Sequence, residues 1–429
     1  MEQDELIRKR EYRELQTLFA SGNMVEVIAE AKKLIKKYNT AFAWNVLGLA
    51  YKRMGEVTQA MSLYEQLLKE NENTLFLSNL GNIYYDLGRV SEAEGLYQRT
   101  LSIEPHHYNA TISLANLYSS LQKYDQSLAL LNSLEKVTAE VDSDRMSDVN
   151  YRIAENYRNK GEAYFDMAIE HYRGSTKPLS SAHMLECIYK IKDKEKYLEE
   201  SEVINERGES NPLLGAIQTH AAIRYGIPDH NLFCSEPFRY ITKSSLLNVS
   251  SFDHSLKRNL IKIKDTLEST PQPLLNGGSQ SSGNIFSSDT SCIKIIKKII
   301  EEKISEYRQL HQSGAMFLKE WPEKHVLHGW FISLKSGGAL NSHMHKQGWL
   351  SGSIYLSLEK QANSSAGNIV FSLDGGGYPN GQKQYPTKEL DIREGDIVLF
   401  PSSIFHCTLP VTSDRSRITL AFDLKPVYE

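Results

Sequence analysis

Three of the thirteen histidines are spaced like the ligands of one metal ion. His343 and His345 are two residues apart, and side chains at i and i+2 of an extended segment point to the same side. His406 follows 61 residues after His345, just beyond the apolar run 397–400 and a Pro-Ser-Ser turn. A close pair on one strand and a distant partner on another would converge inside a β-barrel. Imidazole suits iron, zinc, copper and nickel, and three ligands on one face of the ion leave other positions open to substrate and oxygen.

Arg417 stands 11 residues after His406, at the start of the last strand-like run. Its planar guanidinium is suited to hold a carboxylate through two parallel hydrogen bonds. Beside a three-histidine site we interpret Arg417 as the anchor of an acidic co-substrate. Thr419, Tyr355 and Asn341 are close enough in sequence to be candidates for binding the same molecule.

Short β-rich runs separated by turn residues must position these side chains. They lie at 329–334, 353–358, 368–373, 396–400 and 418–424, and such spacing predicts a sandwich or barrel, of which a jelly roll is one form.

Two segments precede these strands. Residues 266–292 are rich in Ser, Gly, Pro and Asn and have the composition of a loop, which either closes over the site as a lid or is a plain connection. Residues 291–311 alternate apolar and basic side chains at helical spacing and predict a helix.

The N-terminal half repeats itself with a period of 33 to 34 residues over 41–140. Offsets of 3, 4 and 7 within each copy place its residues on one helical face. Small residues recur where two helices must cross closely: Gly48, Gly81 and Ala115 in the first helix, and Ala60, Ala93 and Ser127 in the second. This pattern resembles the tetratricopeptide repeat.

Weaker copies flank the clear ones, as is usual for the capping repeats of such a stack. They cover 5–39, 154–172 and 181–203, and residues 211–226 predict one more helix. We therefore expect a tetratricopeptide-like array over 1–205, a helical linker over 206–235 and a β-rich domain over 236–429.

Such arrays commonly present a concave face to an extended peptide or another protein. Residues on first helices are candidates for that face: Asn45, Lys52, Arg53, Asn79, Asn82 and Asn116.

Composition limits the classes of partner and compartment. With 429 residues the chain has room for two or three domains, and its net charge of −4 gives no basic field to attract nucleic acid or an anionic membrane. No run approaches the roughly 20 apolar residues that span a bilayer. The charged N-terminus predicts no signal peptide, and four cysteines without a C-x-x-C pair predict free thiols in a reducing compartment, the cytoplasm.

Two passages resemble the 2-oxoglutarate/Fe(II) oxygenase superfamily, in the branch whose iron-site strand reads H-x-H followed by S-G-x-x-Y-L. Residues 343–356 carry that strand, and residues 395–406 carry the G-D-x-x-x-F-P run into the distal histidine, with Arg417 beyond. The resemblance covers about 328–424 well and extends more weakly back to about 233. Members of this branch also occur fused to tetratricopeptide arrays.

The resemblance implies a multidomain α plus β protein, with an α-solenoid followed by a double-stranded β-helix (jelly roll). His343, His345 and His406 would bind Fe(II), and Arg417 would hold the distal carboxylate of 2-oxoglutarate. The expected reaction uses O₂ to hydroxylate a C–H bond of a peptide, protein or amino-acid-type substrate, releasing succinate and CO₂. No catalytic residue beyond the metal site is expected.

One departure from the superfamily leaves alternatives open. Most members have H-x-D, whereas position 345 is histidine here, which makes the Fe(II) site one unit more positive. Three-histidine iron is also the arrangement of thiol dioxygenases, so a cupin-like dioxygenase that does not use 2-oxoglutarate is the second hypothesis. A non-catalytic adaptor is the third, and Asp374 in the turn 374–376 is an alternative source of a carboxylate ligand.

Overall fold

The computed structural model describes residues 2–138, 142–270, 272–312 and 314–427. The chain forms two compact units, Met1–Thr176 and Lys177–Glu429.

The first unit is a stack of antiparallel helix pairs. Its helices are α1 (Glu2–Ser21), α2 (Met24–Tyr38), α3 (Ala41–Arg53), α4 (Val57–Glu70), α5 (Thr74–Asp86), α6 (Val90–Ile103), α7 (Tyr108–Ser120), α8 (Tyr124–Thr138), α9 (Ser143–Lys160) and α10 (Phe165–Arg173). The turns between α3 and α4 and between α5 and α6 contain Gly55 and Gly88, whose φ angles of 80° and 73° favour glycine.

Small residues let the helices of a repeat cross closely. A Cβ on Gly48 would lie 2.4 Å from the Tyr64 ring, and a Cβ on Gly81 would lie 2.6 Å from the Tyr97 ring. Both tyrosines are about 1% exposed. The repeat pattern is therefore a packing pattern, in which each buried ring fills the space that a glycine leaves on the neighbouring helix.

The second unit begins with three helices, α11 (Ser180–Lys190), α12 (Lys194–Glu206) and α13 (Pro212–Tyr225). The domain boundaries expected at 205 and 235 stay a prediction drawn from the repeat pattern. In the structure, helices α11, α12 and α13 lie in the same compact unit as the sheet that follows them. The unit also contains α14 (His254–Thr266), α15 (Ser291–Leu310) and the short α16 (Met316–Lys319).

Ten strands in the described part of the second unit form one curled antiparallel sheet. They are β1 (Thr242–Ser245), β2 (Ser269–Thr270), β3 (Leu275–Ser281), β4 (His325–His343), β5 (Leu350–Ser357), β6 (Ile369–Ser372), β7 (Thr387–Leu390), β8 (Asp396–Pro401), β9 (Phe405–Thr408) and β10 (Arg417–Pro426). Their order is β1-β8-β5-β10-β4-β9-β6-β7, with β3 paired to β4 and β2 paired to β3.

The long strand β4 connects the two sides of the jelly roll. Its first half, up to Leu334, pairs with β10, and its second half pairs with β9 across a bulge between Leu340 and His343. Bulges bend a strand, so β4 turns from one side of the barrel to the other just before its last residue.

Side chains of β10 alternate between two environments. Ile418, Leu420, Phe422 and Leu424 pack into the main core, where α15 contributes Ile293, Ile296, Ile300 and Ile304. The intervening residues Arg417, Thr419, Ala421, Asp423 and Lys425 line a cavity on the other face. The two-residue period of a strand thus separates apolar support from polar function.

The predicted fold class, a helical repeat array followed by an antiparallel jelly-roll sheet, is confirmed. The prediction of a loop over 266–292 is wrong in part, because β2 and β3 lie within it and β3 pairs with β4. Gly278 fits there because a Cβ would lie 2.6 Å from the Ser333 carbonyl oxygen, so close approach to the neighbouring strand explains its glycine content. Pro271 lies outside the described residues.

No helix among the described residues is both long and apolar enough to cross a lipid bilayer.

We expect Gly81→Ala to destabilise the array by about 1–3 kcal/mol, because the added methyl group overlaps the buried Tyr97 ring. Thermal unfolding followed by far-UV circular dichroism measures the effect. Gly95→Ala is the matched control, since Gly95 is exposed in α6 with no atom within 4 Å of the new Cβ. It should leave stability unchanged or raise it by up to about 1 kcal/mol. Equal loss in both variants would contradict this account of the repeat.

Candidate metal centre

Two strands and one connecting turn bring the predicted metal ligands to one point. His343 ends β4 and lies directly opposite His406 of β9 in the antiparallel register. His345 follows two residues later, in the turn that leads to β5. The ring centroids are 4.3 Å (His343–His406), 5.0 Å (His345–His406) and 5.2 Å (His343–His345) apart. One nitrogen from each ring lies within 4.8 Å of the others, a spacing that suits a single ion.

Each ring is oriented through its Nδ1 atom. His343 Nδ1 lies 2.9 Å from the Asn341 carbonyl oxygen, and His406 Nδ1 lies 3.3 Å from that of Ile404. His345 Nδ1 lies 2.5 Å from Oδ1 of Asp423. A ring that donates from Nδ1 keeps the Nε2 lone pair for a metal, so all three side chains are prepared to bind through Nε2.

Burial keeps two of these rings in the form that binds metal. Desolvation, reinforced by His345, lowers the pKa of His343 to about 4. Desolvation, with the neighbouring His343 and His345, lowers the pKa of His406 well below its usual value. Both imidazoles are therefore neutral at physiological pH, and a neutral imidazole is the ligand species.

A cavity of about 360 Å³ extends from the histidines along the inner face of β10. Arg417 lines it near one end of the strand and Lys425 near the other. Ile332, Ile369 and Ala421 supply apolar wall between polar groups. Most of the predicted site residues, including Thr419 and Tyr355, line this cavity together with the three histidines.

Arg417 is a buried cation. It is 3% exposed, its Nε donates to the Gly367 carbonyl oxygen at 3.1 Å, and its guanidinium carbon lies 4.9 Å from the centre of the Tyr355 ring. Among the described residues no carboxylate lies within ion-pair distance of it. Burial lowers the pKa of this guanidinium, which nevertheless stays protonated at neutral pH. A buried, unpaired cation is costly, and an anion bound in the cavity would remove that cost.

Two hydroxyls of the cavity residues are also unsatisfied. Tyr355 Oη and Thr419 Oγ1 are buried and have no hydrogen-bond partner of standard geometry within the described chain, although Tyr355 interacts electrostatically with the Arg417 guanidinium. Buried polar atoms in native proteins usually have partners. These two hydroxyls and Arg417 line one end of the cavity. That end suits a carboxylate group, which offers four hydrogen-bond acceptor positions.

The side chain of Asn341 does not line this cavity. It is exposed, and its Oδ1 accepts a hydrogen bond from Asn276 at 3.0 Å. The contribution of Asn341 is its backbone carbonyl, which orients His343. Asp374 is also elsewhere, since its carboxylate lies 3.1 Å from Nε2 of His220 and outside the histidine cluster.

Sequence reasoning missed Asp423, whose carboxylate lies against His345. Burial raises the pKa of Asp423. The interaction with His345 and the hydrogen bond from Ser351 lower this pKa by more than burial raises it, so the net shift is downward. Every second residue of β10 faces the cavity, so the alternation that places Arg417 there also places Asp423 there. The even spacing between the two residues could have identified Asp423 as a cavity residue from the sequence. Ser351 of β5 donates from Oγ to the Asp423 carboxylate at 2.7 Å.

Family models match both halves of the chain. Residues 328–423 match the family described as "Putative 2OG-Fe(II) oxygenase", and residues 43–75 and 84–145 match tetratricopeptide repeat models. The predicted pairing of a tetratricopeptide array with an oxygenase domain of this kind is confirmed. No curated protein matches the chain.

Several solved structures are similar to parts of it. A tetratricopeptide repeat protein from Parabacteroides merdae is 18% identical, over 51% of this chain and 88% of that one, with a TM-score of 0.35. Pseudomonas aeruginosa pilF is 15% identical over 48% of this chain and 93% of that one, with a TM-score of 0.39. A Pseudomonas putida prolyl-4-hydroxylase is 16% identical over 44% of this chain and 93% of that one, with a TM-score of 0.31.

We expect the protein to bind one Co(II) or Mn(II) ion per chain, measured by anaerobic calorimetric titration. His406→Ala should weaken binding by more than about 100-fold, because even the outer partners of metal ligands contribute 10–100-fold. His230→Ala, which removes an exposed histidine, should leave affinity unchanged. Unaltered binding in the His406→Ala protein would exclude the three-histidine site.

Proposed function

We propose that the second unit is a non-haem Fe(II) and 2-oxoglutarate-dependent oxygenase. Fe(II) would bind His343, His345 and His406, and the distal carboxylate of 2-oxoglutarate would pair with Arg417. The proposed reaction converts a C–H bond, O₂ and 2-oxoglutarate into C–OH, succinate and CO₂. The family match at 328–423 supports the class, and the site geometry supports these assignments.

The observation that carries the proposal is the buried, unpaired Arg417 in the cavity that the histidines line. A fixed cation beside two unsatisfied hydroxyls, Tyr355 Oη and Thr419 Oγ1, is an environment for a carboxylate. A ligand that also reaches the metal must be longer than a simple carboxylate and must carry donor atoms at its other end. 2-Oxoglutarate, a dicarboxylate with a keto group beside one carboxylate, has that form.

When bound, the metal and co-substrate supply the oxygen-activating chemistry, and the protein supplies position and environment. The neutral imidazoles of His343 and His406 offer lone pairs without first losing a proton. Arg417, Tyr355 and Thr419 would hold the co-substrate through charge and hydrogen bonds. The apolar wall of Ile332, Ile369 and Ala421 limits water around the reacting groups.

Charge balance also favours a dianionic co-substrate. Three neutral histidines place no negative charge directly on a divalent ion, and the carboxylate of Asp423 lies one group further out, behind His345. 2-Oxoglutarate brings two negative charges, one near the ion and one at Arg417. A three-histidine dioxygenase that does not use 2-oxoglutarate would need a carboxylate of its substrate at Arg417, and the family match at 328–423 favours 2-oxoglutarate over this alternative.

The substrate that we propose is a peptide, protein or amino-acid-type molecule. Two exposed or half-exposed amides, Gln272 and Gln347, line the cavity and offer both donors and acceptors to a peptide backbone. Trp330, whose ring centre is 5.7 Å from that of His345, supplies an apolar wall close to the ligands.

The repeat array is the proposed site for a protein or peptide partner, as its matches to tetratricopeptide models suggest. The asparagines that were candidates for gripping a peptide are engaged within the array. Asn79 donates to Asn45 at 2.6 Å, Asn82 accepts from Tyr97 at 2.7 Å, and Asn116 accepts from Arg152 at 2.7 Å. A partner would therefore bind through other groups of that unit. The proposed compartment is the cytoplasm, which agrees with four free cysteines.

We expect Arg417→Met to abolish measurable use of 2-oxoglutarate while leaving the apo protein at least as stable as wild type. Losing a buried charge contact costs about 2–5 kcal/mol of binding, on the order of 100-fold or more in affinity. The apo protein loses an unpaired buried cation, which is itself unfavourable. Succinate formation and thermal unfolding without ligand measure the two effects.

Arg415→Met is the control, since Arg415 is exposed and two residues away. It should keep wild-type succinate formation. If Arg417→Met retains 2-oxoglutarate turnover, the assignment of Arg417 is wrong. If the wild-type protein binds metal but forms no succinate and binds no 2-oxoglutarate, the function itself is wrong.

A further inference from the structure

The three histidines differ in what holds them. His343 and His406 are oriented by neutral backbone carbonyls, whereas His345 is held by the carboxylate of Asp423 at 2.5 Å. A carboxylate has only acceptor positions, so the Nδ1 of His345 must carry the proton. The charged partner therefore fixes one tautomer and one ring orientation.

Asp423 is itself held in place from a second direction. Ser351 donates from Oγ to Asp423 Oδ1 at 2.7 Å, and the same Oγ lies 2.7 Å from Oγ of Ser402. The backbone N–H of His345 donates to the Ser402 carbonyl oxygen at 3.2 Å. The carboxylate, the ring and the turn that carries the ring thus belong to one connected network.

This network is enclosed. Asp423 is 4% exposed and Ser351 is fully buried. A Cβ on Gly348 would lie 2.7 Å from Ser402 Oγ and 3.1 Å from Cγ of Asp423, so the turn after His345 can close on the carboxylate only with glycine there. Excluding water strengthens both the hydrogen bond and the electrostatic effect of the anion on the ring.

Asp423 does not act as a direct ligand in this geometry. The cluster of converging ligand atoms contains the three histidines alone among the described residues. The negative charge that a carboxylate ligand would supply at position 345 is instead placed one group further out, behind the imidazole.

We propose that Asp423 is a positioning residue that sets the affinity of the metal centre through His345, an inference that rests on the proposed function. Its carboxylate orients the ring and increases the electron donation of Nε2 to the ion. It also supplies a compensating negative charge to a centre with three neutral ligands. A purely structural role would instead confine its effect to the stability of the fold.

The test is the affinity of the full-length protein for Co(II), titrated anaerobically and without 2-oxoglutarate. Asp423→Asn keeps an acceptor oxygen but removes the charge, and Asp423→Ala removes both. We expect weakening of about 10-fold for Asn and up to about 100-fold for Ala. Asp396→Asn is the matched control, because Asp396 is another buried carboxylate of the same sheet, 7% exposed and bonded to the Arg393 N–H. It should not change Co(II) affinity.

A double-mutant cycle shows whether the effect passes through His345. In a His345→Ala background, Asp423→Asn should change Co(II) affinity by less than about 2-fold, because the ring that transmits the effect is gone. An equal loss in both backgrounds, or unchanged affinity in the single Asp423→Asn protein, would overturn the inference while leaving the metal site intact. If the wild-type protein binds no Co(II), the proposed function fails instead.

Discussion

The alternation of side chains along β10 is the constraint on which the site depends. Ile418, Leu420, Phe422 and Leu424 hold the strand against the core beneath α15, and this burial decides which face the remaining residues occupy. Arg417, Thr419 and Asp423 then face the cavity together. A slip of one residue against β4 or β5 would place a buried arginine in the apolar core and leucines in the cavity. Apolar packing on one face therefore specifies the chemistry on the other.

Burial then gives the cavity its electrostatic character. The same exclusion of water keeps His343 and His406 neutral and leaves Arg417 charged but unpaired. The unpaired Arg417 is unfavourable for the empty protein, whereas the neutral imidazoles are ready to bind a cation without losing a proton. An anion bound at Arg417 would relieve that cost, so the protein's stability and its affinity for an anion are linked through this desolvated group.

Much of this arrangement was predictable from the sequence because it depends on local periodicity. The convergence of His343 and His345, the position of Arg417 at the start of a strand and the repeat period of 33–34 are found in the structure, but His345 lies beyond the end of β4 and not on the same strand as His343. The pairing partners were not predictable in this way. Strand β3 has the composition of a loop, since its glycines reflect close approach to β4 rather than a turn. The role of Asp423 depends on which turn folds back onto β10, and no short-range pattern encodes that contact.

The proposed function requires that one cavity bind a divalent metal and 2-oxoglutarate as a joint site. The most direct measurement is calorimetric titration of 2-oxoglutarate into the anaerobic protein, with and without saturating Mn(II), because coupling between two ligands must be reciprocal. Our account predicts 2-oxoglutarate binding that is strengthened at least about 10-fold by the metal, with succinate, which lacks the keto group, gaining much less. Equal affinity for 2-oxoglutarate with and without metal, or no binding in either case, would contradict it.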